Sequence, residues 1–330
     1  MTEANPLSAS RIWVLVDGIS GHDSQSLGVA EALEADFETK PIALTGVAAV
    51  AAGLRSATLL RWAGRAALPS APPWPDVVIA TGSRLGAVAR AIKRQCGGKS
   101  FLAQIMSPGA GAADFDLIAA PRHDRQGTAP NRIETTGAPH RVTAARLADA
   151  AGQWRGRFEH LPRPWIAVLV GGATRRRAFD ARLAAELGHK ASALARGRGG
   201  SLLVSTSRRT MDGAAAAFEA AIDAPCYVHR WQADEGDGNP YFGILGLGDG
   251  VVVTGDSMSM CSEACATGKP VYIFAPPAIT KPAYGRLHRE LYDLGQARPL
   301  AETFEDWSYP PLDTAAEIAA VIRQRFARYR

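Results

Sequence analysis

Short runs of unbroken apolar residues recur along the chain. Each ends at a glycine or serine turn and is followed by a stretch with helical spacing. "RIWVLVDG" (residues 11–18) predicts a strand, and "SLGVAEALEADF" (26–37) the helix after it. "PDVVIATGSRLGAVARAIKRQ" (75–95) repeats that order, and "SFLAQIMSP" (100–108) and "FDLIAAPRHD" (115–124) add two strands stopped by proline. The two prolines of "RFEHLPRPW" (157–165) interrupt the pattern, which then restarts. "WIAVLVGGATRRRAFDARLAAEL" (165–187) and "GSLLVSTSRRTMDGAAAAFEAAI" (200–222) each read as strand, loop and helix, "CYVHRW" (226–231) as a strand, and "VVVTGDSMSMCSEACATGKPVYIF" (251–274) as strand, turn, helix and strand. Unbroken apolar strands alternating with helices predict parallel sheets covered on both faces. The expected fold is α/β, with two Rossmann-like domains, 1–157 and 158–330, whose parallel sheets face a cleft. The closing segment "DTAAEIAAVIRQRFARYR" (313–330) reads as an amphipathic helix, with packing back onto the first domain left open.

Composition narrows this picture. A chain of 330 residues with 47% apolar content is long enough for two cores. The net charge of +5 suits phosphate-bearing ligands, nucleic acid or an anionic membrane surface. Nucleic-acid-binding signatures are absent, so nucleic acid is not an expected partner. The start "MTEANPLSAS" lacks a signal-peptide pattern, and no apolar run reaches membrane-spanning length. The expected location is cytoplasmic, with peripheral attachment at the inner face of the membrane left open. "GLRSATLLRWAGRAAL" (53–68), which includes Trp62, reads either as a packing helix with one solvent edge or as a membrane-surface element. Cys96, Cys226, Cys261 and Cys265 form no paired ligand motif and are expected to be reduced core thiols.

Candidate chemistry gathers where predicted strands end. Gly255, Asp256, Ser257, Met258 and Ser259 lead from a buried strand into the helix carrying Glu263. Free amides and the positive end of a helix dipole suit a diphosphate there, and Glu263 is placed to accept from a ribose hydroxyl. An ordinary helix cap built by Ser or Asp explains the same residues without a ligand. Gly171 and Gly172 end one strand and would let a ligand approach the backbone, with Thr174 and Arg175 after them, and Thr206, Ser207, Arg208 and Arg209 end the next, where guanidinium groups would neutralise phosphate or stay solvated. In the first half, Gly18 and Gly21 flank a tight turn, and His22 is the candidate general base because histidine titrates near neutrality. Asp17 is the alternative base, and Asp17 and Gln25 would otherwise orient His22 or hold a substrate hydroxyl. Gly82, Ser83, Arg84 and Gln104 are expected on the acceptor side of the same cleft. The dinucleotide fingerprint, the P-loop, a zinc motif and the hydrolase elbow are all missing, so no cofactor and no metal are expected.

Two resemblances follow from these motifs. "TGDSMSMCSEACATGKPVYIF" is similar to the donor-nucleotide motif of GT-B glycosyltransferases, above all the N-acetylglucosaminyltransferase of cell-wall precursor synthesis, and "GISGHDSQSLGVAEAL" resembles the glycine loop of that enzyme. The resemblance implies a nucleotide-sugar on the second domain and an acceptor on the first, with Glu263 matching the ribose-binding glutamate and His22 the loop histidine. Together "WVLVDGISGHDSQSLGVAEAL", "LLVSTSRRT", "NPYFGIL" and the 251–274 segment resemble the elongated-mitochondria fission-factor family over nearly the whole chain. That likeness implies an adaptor for a dynamin-related GTPase in plants. Many bacterial relatives carry the label of nucleoside-diphosphate-sugar epimerases, and the Ala- and Arg-rich composition points to a bacterial member. Two readings therefore stand. One is an inverting, metal-independent glycosyltransferase using a nucleoside-diphosphate sugar and an acceptor that includes the membrane-surface, lipid-linked class, with an epimerase as a close variant. The other is a non-catalytic adaptor on the same fold, whose protein partner the sequence does not name.

Overall fold

The computed structural model describes residues 5–43, 72–174, 177–233 and 238–329. The helix expected over 53–68 lies outside them. The chain forms two compact units, one of Met1–Arg141 with Asp313–Arg330 and one of Val142–Leu312.

In the first unit the described strands are β1 (Ile12–Val16), β2 (Phe37–Pro41), β3 (Val77–Thr81), β4 (Phe101–Ile105), β5 (Leu117–Pro121) and β6 (Arg132–Thr135). They form one parallel sheet in the order β2-β1-β3-β4-β5-β6. Every residue of β3, β4 and β5 is buried, as parallel strands covered on both faces require. Helix α1 (Ser20–Glu31) follows β1, and α2 (Gly82–Gln95) follows β3 without a break. Strands β2 and β6 lie at the two edges and are the polar ones, which is why apolar patterning does not mark them.

In the second unit α3 (Ala144–Phe158) precedes β7 (Trp165–Val170), α4 (Ala181–Arg196), β8 (Ser201–Thr206), α5 (Asp212–Ala220) and β9 (Cys226–His229). Then come α6 (Tyr241–Leu247), β10 (Gly250–Thr254), α7 (Met258–Cys265), β11 (Val271–Phe274), α8 (Pro282–Asp293) and β12 (Arg298–Pro299). This parallel sheet has the order β12-β11-β10-β7-β8-β9. Counted from β7, that is the Rossmann order 3-2-1-4-5-6, with its switch point between β7 and β10. In the first unit the strand order reverses between β1 and β3. Ligands of open parallel sheets collect beyond the carboxyl ends of strands at such points.

The last helix, α9 (Thr314–Tyr329), belongs to the first unit. Ile318, Ala319, Ile322 and Phe326 enter a core with Leu7, Val14, Val29 and Phe101. The Phe326 and Phe101 rings meet edge to face at 6.0 Å. The division between the units falls at Arg141/Val142 and not at 157/158, because α3 packs on α6. Gly243 and Gly246 make that approach feasible: a Cβ on Gly243 would lie 2.7 Å from Trp154 Cδ1, and one on Gly246 would lie 2.5 Å from the Leu147 carbonyl oxygen. Prolines at a boundary mark a change of direction, whereas helix packing decides membership.

Candidate functional site

The second unit brings the loops after β7, β8 and β10 together at its switch point. Thr210 Oγ1 donates to the Val170 carbonyl at 3.0 Å and accepts from the Ser207 amide at 3.0 Å, holding the β8 loop against the end of β7. The Ser207 hydroxyl accepts from the Arg209 amide at 3.2 Å. Arg209 in turn meets Asp256, Nη1 to Oδ2, at 2.6 Å, and donates to the Gly172 carbonyl at 3.1 Å. Thr206 is taken up as an acceptor for the Trp231 amide at 2.8 Å.

Gly171 and Gly172 play a different part from the one the sequence suggests. Their amides donate inward, to Thr254 Oγ1 at 2.8 Å and to Asp256 Oδ2 at 3.0 Å. A Cβ on Gly171 would lie 2.2 Å from Asp256 Oδ1, and one on Gly172 would lie 2.0 Å from the Arg209 carbonyl oxygen. Both glycines are therefore required by the close packing of these loops on one another. Thr174 pairs reciprocally with Arg177 through backbone bonds of 2.9 and 3.1 Å, and Arg175 falls outside the described residues. Arg208 is exposed.

The turn into α7 has the features of a helix cap. Ser257 is the N-cap, in extended geometry, and its hydroxyl accepts from the Met260 amide at 3.4 Å. Gly255 is buried against α8, where a Cβ would lie 2.5 Å from His288 Cε1. Met258 and Ser259 form the first turn and are half-buried. Glu263 is buried on the same helix, and Oε2 accepts from the Tyr241 hydroxyl at 2.5 Å. Burial pushes its carboxyl up to about 7, with the Tyr241 bond pulling the other way. Burial also drives the Tyr241 hydroxyl well above its ordinary range, helped by the Glu263 charge. Cys261 and Cys265 are buried on α7, as is Cys96 in the first unit, whereas Cys226 is exposed at the start of β9; all four are free thiols.

In the first unit α1 begins at Ser20, so His22 sits in its first turn and not on a loop. Gly18, at φ +76°, turns the chain, and the Asp23 carboxylate gathers the Asp17 and Gly18 amides at 3.1 Å each. Burial raises the Asp23 pKa against those two bonds. The Asp17 side chain is buried, with Oδ1 3.8 Å from His22 Nδ1 and accepting from the Ile19 amide at 3.2 Å. The His22 ring lies over Gly82, whose Cβ would meet Cε1 at 3.2 Å; Gly82 is also at φ +77°. Gln104 is buried and donates to the Gly82 and Ile105 carbonyls at 3.1 and 2.8 Å. Ser26 and Thr81 pair at 2.7 Å and pin α1 to β3. Asp17, His22, Gly82 and Gln104 thus gather at the carboxyl ends of β1, β3 and β4. Gln25 is buried three residues along α1 from His22, Gly21 is half-buried, and Arg84 is exposed.

The residues that sequence reading passes over are Asp23, Thr210, Tyr241 and Thr254. Each acts by bonding a candidate residue or a loop amide; all four lie within the stretches that carry the resemblance, but no local signal assigns them that part. No helix among the described residues is long and apolar enough to cross a membrane.

Known proteins bear on this arrangement. The family model "Mitochondrial fission ELM1" matches residues 20–326. The "Mitochondrial fission protein ELM1" of Arabidopsis thaliana is 32% identical over 77% of this chain and 64% of its own length, so the chain spans under two thirds of that relative. An uncharacterized protein of Rickettsia prowazekii is 25% identical over 94% of this chain and 97% of its own. Among solved structures, the UDP-GlcNAc 2-epimerase of Methanocaldococcus jannaschii, in complex with UDP-GlcNAc and UDP, superposes over 95% of this chain and 99% of its own, at a TM-score of 0.54 and 11% identity. The spinosyn forosaminyltransferase SpnP covers 97% and 95%, at 0.50 and 13% identity. At such identities the structural likeness speaks for the fold, that of GT-B proteins. With a family model spanning nearly its whole length and two Rossmann-like units beneath it, the chain belongs to the mitochondrial fission ELM1 family.

Proposed function

We propose that the chain binds a nucleoside-diphosphate sugar on its second unit and transfers the sugar, with inversion and without a metal, to an acceptor hydroxyl bound by the first unit. The observation that carries the donor half is the convergence of three polar loops and the amino end of α7 at the switch point of a Rossmann-ordered sheet. In this reading the α7 terminus and Arg209 stabilise the departing diphosphate, and Glu263 accepts from the ribose. The acceptor oxygen attacks the anomeric carbon while its proton passes to His22. The bond from that carbon to the diphosphate oxygen breaks, and its electron pair leaves with the diphosphate. Support for His22 is its place in the first turn of α1, beside buried Asp17 and against Gly82. The acceptor class includes lipid-linked hydroxyls at a membrane surface.

A second reading, a non-catalytic adaptor, is favoured by one observation: the Gly171 and Gly172 amides already serve Thr254 and Asp256. Titration calorimetry of the full chain against UDP-, dTDP-, GDP- and ADP-sugars separates the two. Binding that is lost in Glu263→Ala and kept in His22→Ala, with slowed turnover in the latter, supports the transferase. Full activity of His22→Ala removes it as the base. Flat titrations of folded protein across the panel reject the donor site and leave the adaptor. Release of an epimerised sugar nucleotide without acceptor would reassign the reaction to epimerisation.

A further inference from the structure

The Asp256 carboxylate stands where a ligand oxygen would be expected. Its side chain is 1% exposed, yet it lies at the carboxyl end of β10, beside the end of β7, at the switch point of the sheet. A hydrogen bond and an ion pair from two other loops converge on one of its oxygens: the Gly172 amide donates at 3.0 Å and Arg209 Nη1 lies at 2.6 Å. A backbone amide and a guanidinium closing on one anionic oxygen is the coordination a phosphoryl oxygen takes. The second oxygen, Oδ1, is buried and has no hydrogen-bond partner among the described residues. A carboxylate kept for stability alone would be expected to use both oxygens, since an orphaned buried acceptor is costly.

The surroundings indicate which part moves. Gly255 is locked against His288 and Ala275, where a Cβ would find atoms at 2.5 and 2.9 Å, so the backbone before Asp256 is held. Ser257 is held by its capping bond. What is left is rotation of the Asp256 side chain. Arg209 is 32% exposed, so an anion arriving from solvent reaches the guanidinium first.

We propose that Asp256 is an internal competitor: its carboxylate occupies an anion site made by Arg209 and the Gly172 amide, and a phosphate oxygen of the ligand takes that site as Asp256 swings out. The inference rests on the donor reading above for the source of the phosphate. It makes Asp256 a gate, where sequence reading counts it as a ligand contact. It also accounts for amides that serve the protein itself in a loop suited to diphosphate. Selectivity follows, because a weakly held anion does not displace a carboxylate already paired, whereas a ligand that also gains base and sugar contacts does.

The test measures affinity of the full chain for inorganic pyrophosphate, UDP and UDP-sugars by calorimetry, in the wild type, Asp256→Ala, and Asp256→Ala combined with Arg209→Gln. Asp256→Ala is expected to bind pyrophosphate at least tenfold more tightly than the wild type, and the double variant to lose that gain. If Asp256→Ala does not fold, Asp256→Asn keeps the volume, removes the charge and is expected to show a smaller gain of the same sign. Unchanged or weaker pyrophosphate binding in the folded variant overturns the inference. The donor reading fails separately. A pyrophosphate gain with UDP and UDP-sugars silent leaves the gated anion site and removes the nucleotide, whereas wild-type UDP-sugar binding without any gain in Asp256→Ala does the reverse.

Discussion

Replacing Glu263 by glutamine tests the electrostatics of α7 directly. The residue is 9% exposed, and its carboxyl is raised by burial from 4.5 to about 7. In the unfolded chain the group titrates near its ordinary value, so between roughly 4.5 and 7 the folded protein keeps a proton that the unfolded chain has released. Raising the pH through that window favours unfolding. The contribution is fully present below the unfolded value and is lost as pH passes the folded one. The separation of the two values corresponds to about 3 kcal/mol, most of which falls between pH 5 and pH 8. Glutamine keeps an acceptor for the Tyr241 hydroxyl, now at 2.5 Å from Oε2, and cannot ionise. Urea unfolding of both proteins is therefore expected to show the variant gaining on the wild type by about 2–3 kcal/mol from pH 5 to pH 8. Subtracting one protein from the other cancels every other titrating group. A constant offset between the two at both pH values would refute the raised carboxyl.

Three other substitutions probe the packing. Gly82→Ala puts a methyl 3.2 Å from His22 Cε1 at a φ of +77°; it is expected to cost about 1–2 kcal/mol and to move the His22 imidazole resonances, and an unshifted spectrum would show the ring to be elsewhere. Gly171→Ala, with its methyl 2.2 Å from Asp256 Oδ1, is expected to lower stability by about 1–3 kcal/mol, read as a drop in Tm; a neutral result would mean that the β7 and β10 loops are not in contact. Phe326→Ala empties a buried site against Phe101. Its cost of about 3–5 kcal/mol is expected to speed hydrogen exchange in β1, β3 and β4 while leaving β7, β8 and β10 protected, and equal acceleration in both sheets would contradict the assignment of α9 to the first unit.

The central strands are legible because parallel strands buried on both faces must be unbroken apolar runs, as at Val77–Thr81 and Gly250–Thr254. The edges are not, because Phe37–Pro41 and Arg132–Thr135 are half solvated and carry charge. The start of α1 is also hidden. Residues 20–25 read as a polar glycine loop, and they are helical because Asp23 gathers the Asp17 and Gly18 amides. Placement of α3 escapes local reading for a different reason, since Leu147 and Trp154 find their glycine neighbours on α6, far along the chain.

Sequence alone determined the alternation of strand and helix, and with it the places where polar loops emerge at strand ends. That is local information, carried by apolar runs and the glycines that stop them. Whether a polar group in those loops is available to a ligand was decided only by tertiary structure. Gly172 and Asp256 are joined across 84 positions, and Tyr241 and Glu263 across 22, by hydrogen bonds that succeed or fail within tenths of an ångström. No residue pattern encodes distances of that kind, because they arise only when segments distant in sequence pack.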